Sequence, residues 1–329
     1  MADLISTTSN TSKDYQKQLL NTMVVAPVFE QFALRGKITG TKNVAWNRIN
    51  RLSPGTPTAI GLGITPSATL QTPDVVEASA DWYAAFTKIA RQAWATDPNG
   101  QVKAMGTAMG KHGNELREVI IRNAIVSGAT SVYYAGFAPG LGTRGTTAST
   151  ISVTDLNRIS RAMYANGAEK ITSIIKAGSG VGTTPIGASY ICVIHGSVEL
   201  DVRAISTFTP VEKYPSSTPG FIGEIGSIPG FRFIVSNIMQ DLYYADQGAA
   251  DGNVRLSDAG TLGNVYPCLI FGEQAFGVVD LEKFETIEKG LDKAGSAVNA
   301  YSTTGYIMAM VAKVLNGAWC SVYEVCATA

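Results

Sequence analysis

The sequence predicts an α+β fold of one large or two medium domains, on three observations. A long helical pattern opens at Asp97-Pro98 and runs to about Ser127. Strand-like segments lie on both sides of it: Asn43 to Ile49 and Val75 to Ala95 before it, Tyr190 to Ile194, Phe231 to Val235 and two apolar C-terminal runs after it. The 329 residues are 45% apolar and 16% charged. That is enough for a sizeable core, and the charge lies below the usual ~25%. Such a surface fits burial against a partner, although 34 glycines also dilute the charge.

From Asp14, apolar residues recur at helical spacing through Leu19, Met23, Val28 and Phe32, with a kink expected at Pro27 and an end at Gly36 to Gly40. Asn43 to Ile49 alternates, with Val44, Trp46 and Arg48 on one face. The following stretch to Asp74 holds Pro54, Pro57, Pro66 and Pro73 and cannot form a core alone; so long an excursion makes sense if it lies on another subunit.

In the long helix, Asp97 is the expected N-cap and Pro98 the first helical residue. Its apolar seam reads Val102, Met105, Met109, His112, Leu116, Val119, Asn123, Val126. At ~1.5 Å per residue it extends about 45 Å. Gly106, Gly110 and Gly113 lie inside it and each costs up to ~1 kcal/mol against Ala, a cost that close packing by another element would offset. Gly128 is the expected stop. Ser131 to Thr150 reads as a glycine-rich loop, Thr154 to Ala165 as a second helix ending at Asn166-Gly167, and Ser197 to Ile205 as a short helix. Near the end, Tyr306–Leu315 and Ala318–Val325 flank Asn316-Gly317, a strong hairpin signal.

Net charge is zero, whereas chains that grip nucleic acid by neutralising phosphates are usually basic. Charge is uneven, however: residues 1–60 are rich in Lys and Arg, and residues 241–292 in Asp and Glu, so the two parts could attract each other between copies. Cys192, Cys268, Cys320 and Cys326 have neither disulfide-scaffold nor zinc spacing and read as buried thiols in a reducing compartment. The polar start shows no secretory signal, and no apolar run approaches the ~20 residues that span a bilayer.

Sites for chemistry are scarce. Gly140-Leu141-Gly142-Thr143-Arg144-Gly145 spells a dinucleotide fingerprint but runs into Thr/Ser rather than a helix. There is no phosphate loop and no nucleophile elbow. His112 sits on the helix seam and reads as a packed residue. His195 could serve as a base only beside Ser197 or a Cys, oriented by Glu199 or Asp201; a hydrogen-bonded structural role is the simpler reading. Glu285 and Glu288 are spaced to share a solvated helix face. Gly223 and Gly226 permit a bend that Glu224 could cap. These readings predict no catalytic residue, cofactor or metal.

Three sequence words stand in order: Asp201-Val202-Arg203 after His195; Gly223-Glu224-Ile225-Gly226 followed by Gly230-Phe231-Arg232-Phe233-Ile234; and the ending Thr304 to Val325 with Val314-Leu315-Asn316-Gly317. In that order they resemble the major capsid proteins of tailed phages with the HK97-like capsid fold. The resemblance covers nearly the whole chain. It implies an N-terminal arm (1–36), an extended loop over a neighbour (37–82), a peripheral domain (83–152 and 284–329) with a spine helix at 97–127, and an axial domain (153–283) with the C-terminal hairpin returning to the peripheral sheet. The implied function is self-assembly, as hexamers and pentamers, into an icosahedral shell that encloses double-stranded DNA without sequence-specific binding. Portal, scaffold and decoration proteins are further candidate partners, and the implied location is the virion capsid, assembled in the host cytoplasm. Candidate interface residues are Trp46, Arg48 and Arg51, with Glu285 and Glu288 of the acidic segment opposite and Glu224 as a further one. The alternatives are an encapsulin-like nanocompartment shell and a soluble enzyme using His195.

Overall fold

The computed structural model describes residues 27–37, 40–49, 73–95, 101–136, 149–176, 182–214, 219–247, 262–291 and 298–328. In chain order these form β1 (Leu34–Lys37), β2 (Asn43–Ile49), β3 (Pro73–Ser79), β4 (Asp81–Ala90), α1 (Arg91–Ala95), α2 (Gln101–Gly128), β5 (Ser131–Tyr134), α3 (Val153–Ala165), β6 (Ile171–Lys176), β7 (Gly182–Ile194), α4 (Glu199–Arg203), β8 (Thr209–Pro210), β9 (Glu224–Ile228), β10 (Phe231–Val235), β11 (Val265–Phe271), β12 (Phe276–Lys289), β13 (Tyr301–Val314) and β14 (Cys320–Cys326). The predicted cap at Asp97-Pro98, the fingerprint at 140–145 and Arg51 lie outside the described residues.

Three sheets result. One runs β1-β12-β13-β4, a second pairs β2 with β3, and an eight-stranded sheet runs β5-β14-β11-β7-β10-β9-β8 with β6 beside β7. In β7, Ile191 and Val193 face one core, while Tyr190, Cys192 and Ile194 face another. A strand covered on both faces reads as a continuous apolar run, which is why Tyr190 to Ile194 stood out in the sequence. On one face α3 packs through Leu156, Ile159 and Met163. Ser152 caps that helix by accepting from the Asp155 N–H, and Gly167 (φ +73) ends it. Ile121 and Ile125 of α2 lie in the core on the opposite face.

Several expectations are corrected. The helix expected through Val28 and Phe32 is one 3-10 turn at Glu30–Phe32 followed by β1, and Ser131–Tyr134, expected as loop, is β5 paired with β14. Asn316-Gly317 does not turn a hairpin. Strand β13 stays with β12 and β4, while β14 pairs with β11 and β5 in the other sheet. Asn316 is extended (φ −140) and its side chain accepts from Ala318 N–H. The Leu315 N–H bonds Ala275, and the Gly317 carbonyl takes the Thr130 N–H, so neighbouring segments set this bend rather than local turn preference. Glu285 and Glu288 lie on β12, not on a helix. Three residues apart, they share a helix face but occupy opposite faces of a strand.

The glycines of α2 explain its position. A Cβ on Gly106 would meet Glu288, one on Gly113 would enter the Phe284 ring, and one on Gly128 would press on Val314. The closest approach to β12 and β13 is therefore made along the glycine stripe, one position round from the predicted apolar seam. Two members of that seam, His112 and Asn123, are exposed.

Candidate assembly interface

Residues 28–32 are where the N-terminal segment meets the body. Val28 and Phe29 are buried, Phe29 and Phe32 pack on Phe271, and Phe32 also packs on Phe221. This segment has no ladder to satisfy its amides. Instead, the N–H groups of Val28, Phe29 and Glu30 all donate to the Glu118 carboxylate on α2, at 3.0, 2.8 and 3.2 Å. Burial raises the Glu118 carboxyl above its ordinary pKa, and the three donors oppose that shift. The adjacent Arg117 reaches Glu30 at 3.0 Å and Asp280 of β12 at 2.8 Å. Burial disfavours its charge, yet these carboxylates hold its pKa above the ordinary value. Sequence reading missed both residues; charges spaced to face the same way as Ile121 and Ile125 were the available signal.

The hairpin β2–β3 is built as its alternation predicts. Val44, Trp46 and Arg48 are half-buried, and Ala45 and Asn47 exposed. The Trp46 indole lies over Gly277 of β12, where an added Cβ would sit 3.1 Å from the ring. Arg48 Nη2 meets Asp74 Oδ2 across the hairpin at 2.7 Å. Lys42 pairs with Asp81 and Arg35 with Glu30, at 3.3 and 3.2 Å. Three basic residues expected to seek a neighbour's acidic segment thus have partners in their own chain.

On β12, the Glu288 carboxylate lies over Gly106, and Glu285 sits on the opposite face in register with Ile307. Both are exposed. The Glu224 side chain is 0% exposed and offers nothing to a neighbour. It accepts from Tyr214 Oη at 3.0 Å and from the Gly220 and Phe221 N–H groups at 2.7 and 3.1 Å, and it pairs with Arg232. Gly223, at φ +80, allows the bend that brings these donors together. Capping the bend is therefore its structural role.

The residues around His195 do not converge on a reaction centre. His195 Nδ1 accepts the Ser197 backbone N–H at 2.9 Å, which leaves the proton on Nε2, 3.3 Å from the Gln240 carbonyl. Burial lowers its pKa, and the ring packs on Tyr266. Glu199 is bound to Arg203 at 2.8 Å, and Asp201 accepts from the Thr328 N–H at 2.9 Å. The four cysteines are buried and none is in a disulfide. Burial pushes the Cys320 thiol up to about 12 and raises Cys192 further from thiolate character. Among the described residues, no group of three or more His, Cys, Asp or Glu is placed to hold a metal, and no helix is long and apolar enough to cross a membrane.

Residues 71–307 match a family model described as phage capsid protein. In structure, the chain is similar to the capsid of the cyanophage Pam1, with 13% identity over 99% of each chain and a TM-score of 0.69. It is also similar to the capsid of Ralstonia phage GP4 (14% identity, 99% of this chain and 98% of that one, TM-score 0.66). The head of Helicobacter pylori bacteriophage KHP40 is a third (11% identity, 99% and 98%, TM-score 0.65). No curated protein matches the chain in sequence.

Proposed function

The chain belongs to the phage capsid protein family, and on that premise we propose that its copies assemble as hexamers and pentamers into an icosahedral head that encloses double-stranded DNA. The chain is a structural shell protein of a phage, with the HK97-like α+β fold, located in the virion capsid. The observation that carries the reading is the family match over residues 71–307, which takes in α2 and reaches into both large sheets.

In this assembly residues 1–36 act as the arm and 37–82 as the extended loop. The peripheral unit is residues 83–152 and 284–329, with α2, β4 and β13, and the axial unit is residues 153–283, with β6 to β11. Contacts are heterologous and close into rings. Arg51 faces the exposed Glu285 of a neighbour, while Arg48 is shared with Asp74. Portal, scaffold and decoration proteins complete the head, and assembly takes place in the host cytoplasm. The shell role is non-enzymatic, a reading that the dispersal of Ser197, Glu199 and Asp201 around His195 supports.

The test is electron microscopy and size-exclusion chromatography of the purified chain, alone and with scaffold supplied. Closed shells or five- and six-membered rings are expected, and Arg51→Glu should shift the salt dependence of their formation. A monomer or dimer that persists with scaffold would overturn the reading.

A further inference from the structure

One end of the eight-stranded sheet carries a polar row. Register sets Thr209 of β8 beside Ser227 of β9, Ser227 beside Arg232 of β10, and Arg232 beside Ile191 of β7. Cross-strand partners share a face, and Ser189, two residues before Ile191, lies on the same one. Ile191 belongs to the core, so this face passes from apolar to polar within one strand. A cavity of about 270 Å³ opens here, lined by Ser189, Thr209, Ser227 and Arg232 together with Gly187 and Gly230. It is smaller than the ~300–1,000 Å³ of clefts that take drug-sized ligands, so it suits a small ion.

Donors outnumber acceptors at this cavity. The Arg232 guanidinium is 12% exposed and has five N–H donors. Its Nη1 bonds Glu224, and no other hydrogen bond ties it to a described residue. Glu224 already accepts from Tyr214 Oη and from the Gly220 and Phe221 N–H groups. Ser189 is 4% exposed, yet its Oγ has no partner. A serine hydroxyl without a partner is free to turn to an acceptor. Lys170 Nζ lies 3.6 Å from where a Cβ of Gly230 would stand and 5.3 Å from the centre of the Tyr190 ring. Among the described residues its ammonium meets no carboxylate. Arg232 is therefore balanced by Glu224, and the charge of Lys170 is left over.

We propose that this cavity binds a small oxyanion of the phosphate or carboxylate type, held by Arg232, Ser189 and Lys170. An oxyanion supplies what the site lacks: several acceptor atoms in one small group and one negative charge. Bound there, it ties the β9–β10 turn to β7 at the point where β7 passes from pairing with β10 to pairing with β6. The site lies within one chain, so it stands whether or not copies assemble.

The test titrates the full chain with sodium phosphate and, separately, sodium acetate at constant ionic strength, by calorimetry and by thermal midpoint. Saturable binding at one site per chain is expected, with a midpoint that rises as the ion is added. Saturation by phosphate alone identifies a phosphate-type ligand, and saturation by acetate a carboxylate. Lys170→Gln removes the unbalanced charge. Arg232→Lys keeps a charge beside Glu224 but loses the planar fork. Each should weaken binding at least about tenfold. Ser189→Ala guards against variants that merely fail to fold. Its hydroxyl bonds nothing, so without the ion its midpoint should be no lower than that of the wild type; with the ion it should rise less. No saturable binding of either ion, or binding by Lys170→Gln and Ser189→Ala equal to that of the wild type, would overturn the proposal.

Discussion

Glu118 shows what one side chain can hold. Its carboxylate takes three successive backbone N–H groups from residues 28–30, an arrangement an amide cannot reproduce. In Glu118→Gln the Oε1 can still accept from Val28 and Phe29, but Nε2 then turns donors toward the Glu30 N–H. A buried donor left unsatisfied costs ~1–3 kcal/mol, so the variant should lose about 2 kcal/mol in urea unfolding. Relief of the desolvation that raises its pKa works in the opposite direction and keeps the loss at that level. An unchanged midpoint would mean that the arm is held by Phe29 and Phe32 alone. The sequence showed Val28 and Phe32 as members of an apolar pattern. Glu118 carried no comparable mark, because its role depends on a segment about ninety residues away.

At the scale of elements, α2 separates two kinds of glycine. At Gly113 an added Cβ would enter the Phe284 ring and come within 3.1 Å of Tyr306, and those two rings pack together at 5.6 Å between centroids. Overpacking there costs ~1–3 kcal/mol and outweighs the ~1 kcal/mol that Ala adds in helix propensity. Gly113→Ala should therefore destabilise the subunit. At Gly110 the nearest atom is Thr286 Cγ2 at 3.7 Å, an ordinary contact. Gly110→Ala should be neutral or stabilise by up to ~1 kcal/mol. Thermal midpoints of the two variants should move in opposite directions, or the second not at all. The helix itself was legible from its 3.6-residue periodicity. Its tightest face was not, because periodicity counts side chains and the closest packing runs along residues that have none.

For the whole molecule, the two large sheets share a core between them, although the other face of the eight-stranded sheet has its own. Val28 and Phe29 of the arm, Ile121 and Ile125 of α2, Val278, Met308 and Met310 of one sheet, and Ile191, Leu269 and Val322 of the other form a single buried cluster. A shared core predicts cooperative unfolding. Scanning calorimetry of the unassembled subunit should give one transition with matching calorimetric and van't Hoff enthalpies. Two resolved transitions would mean that the peripheral and axial units are energetically independent.

The amino-acid sequence alone determined the long helix, the strands read from alternation or from a continuous apolar run, and the second helix ending at Asn166-Gly167. It also carried the family resemblance, since three short words kept their order. All of these depend on residues close in sequence, where spacing translates directly into a face of a helix or strand. Tertiary structure decided what spacing cannot encode. It sent β13 and β14 to different sheets across an Asn-Gly pair that locally favours a hairpin. It placed Glu285 and Glu288 on a strand, enclosed Glu224 among donors from residues 214–232, and gave Arg48 a partner in its own hairpin. It also gathered Ser189, Arg232 and Lys170 at one cavity. Each of these follows from which distant segments come together, and the free energy of that long-range packing outweighs the local preference at the same residues.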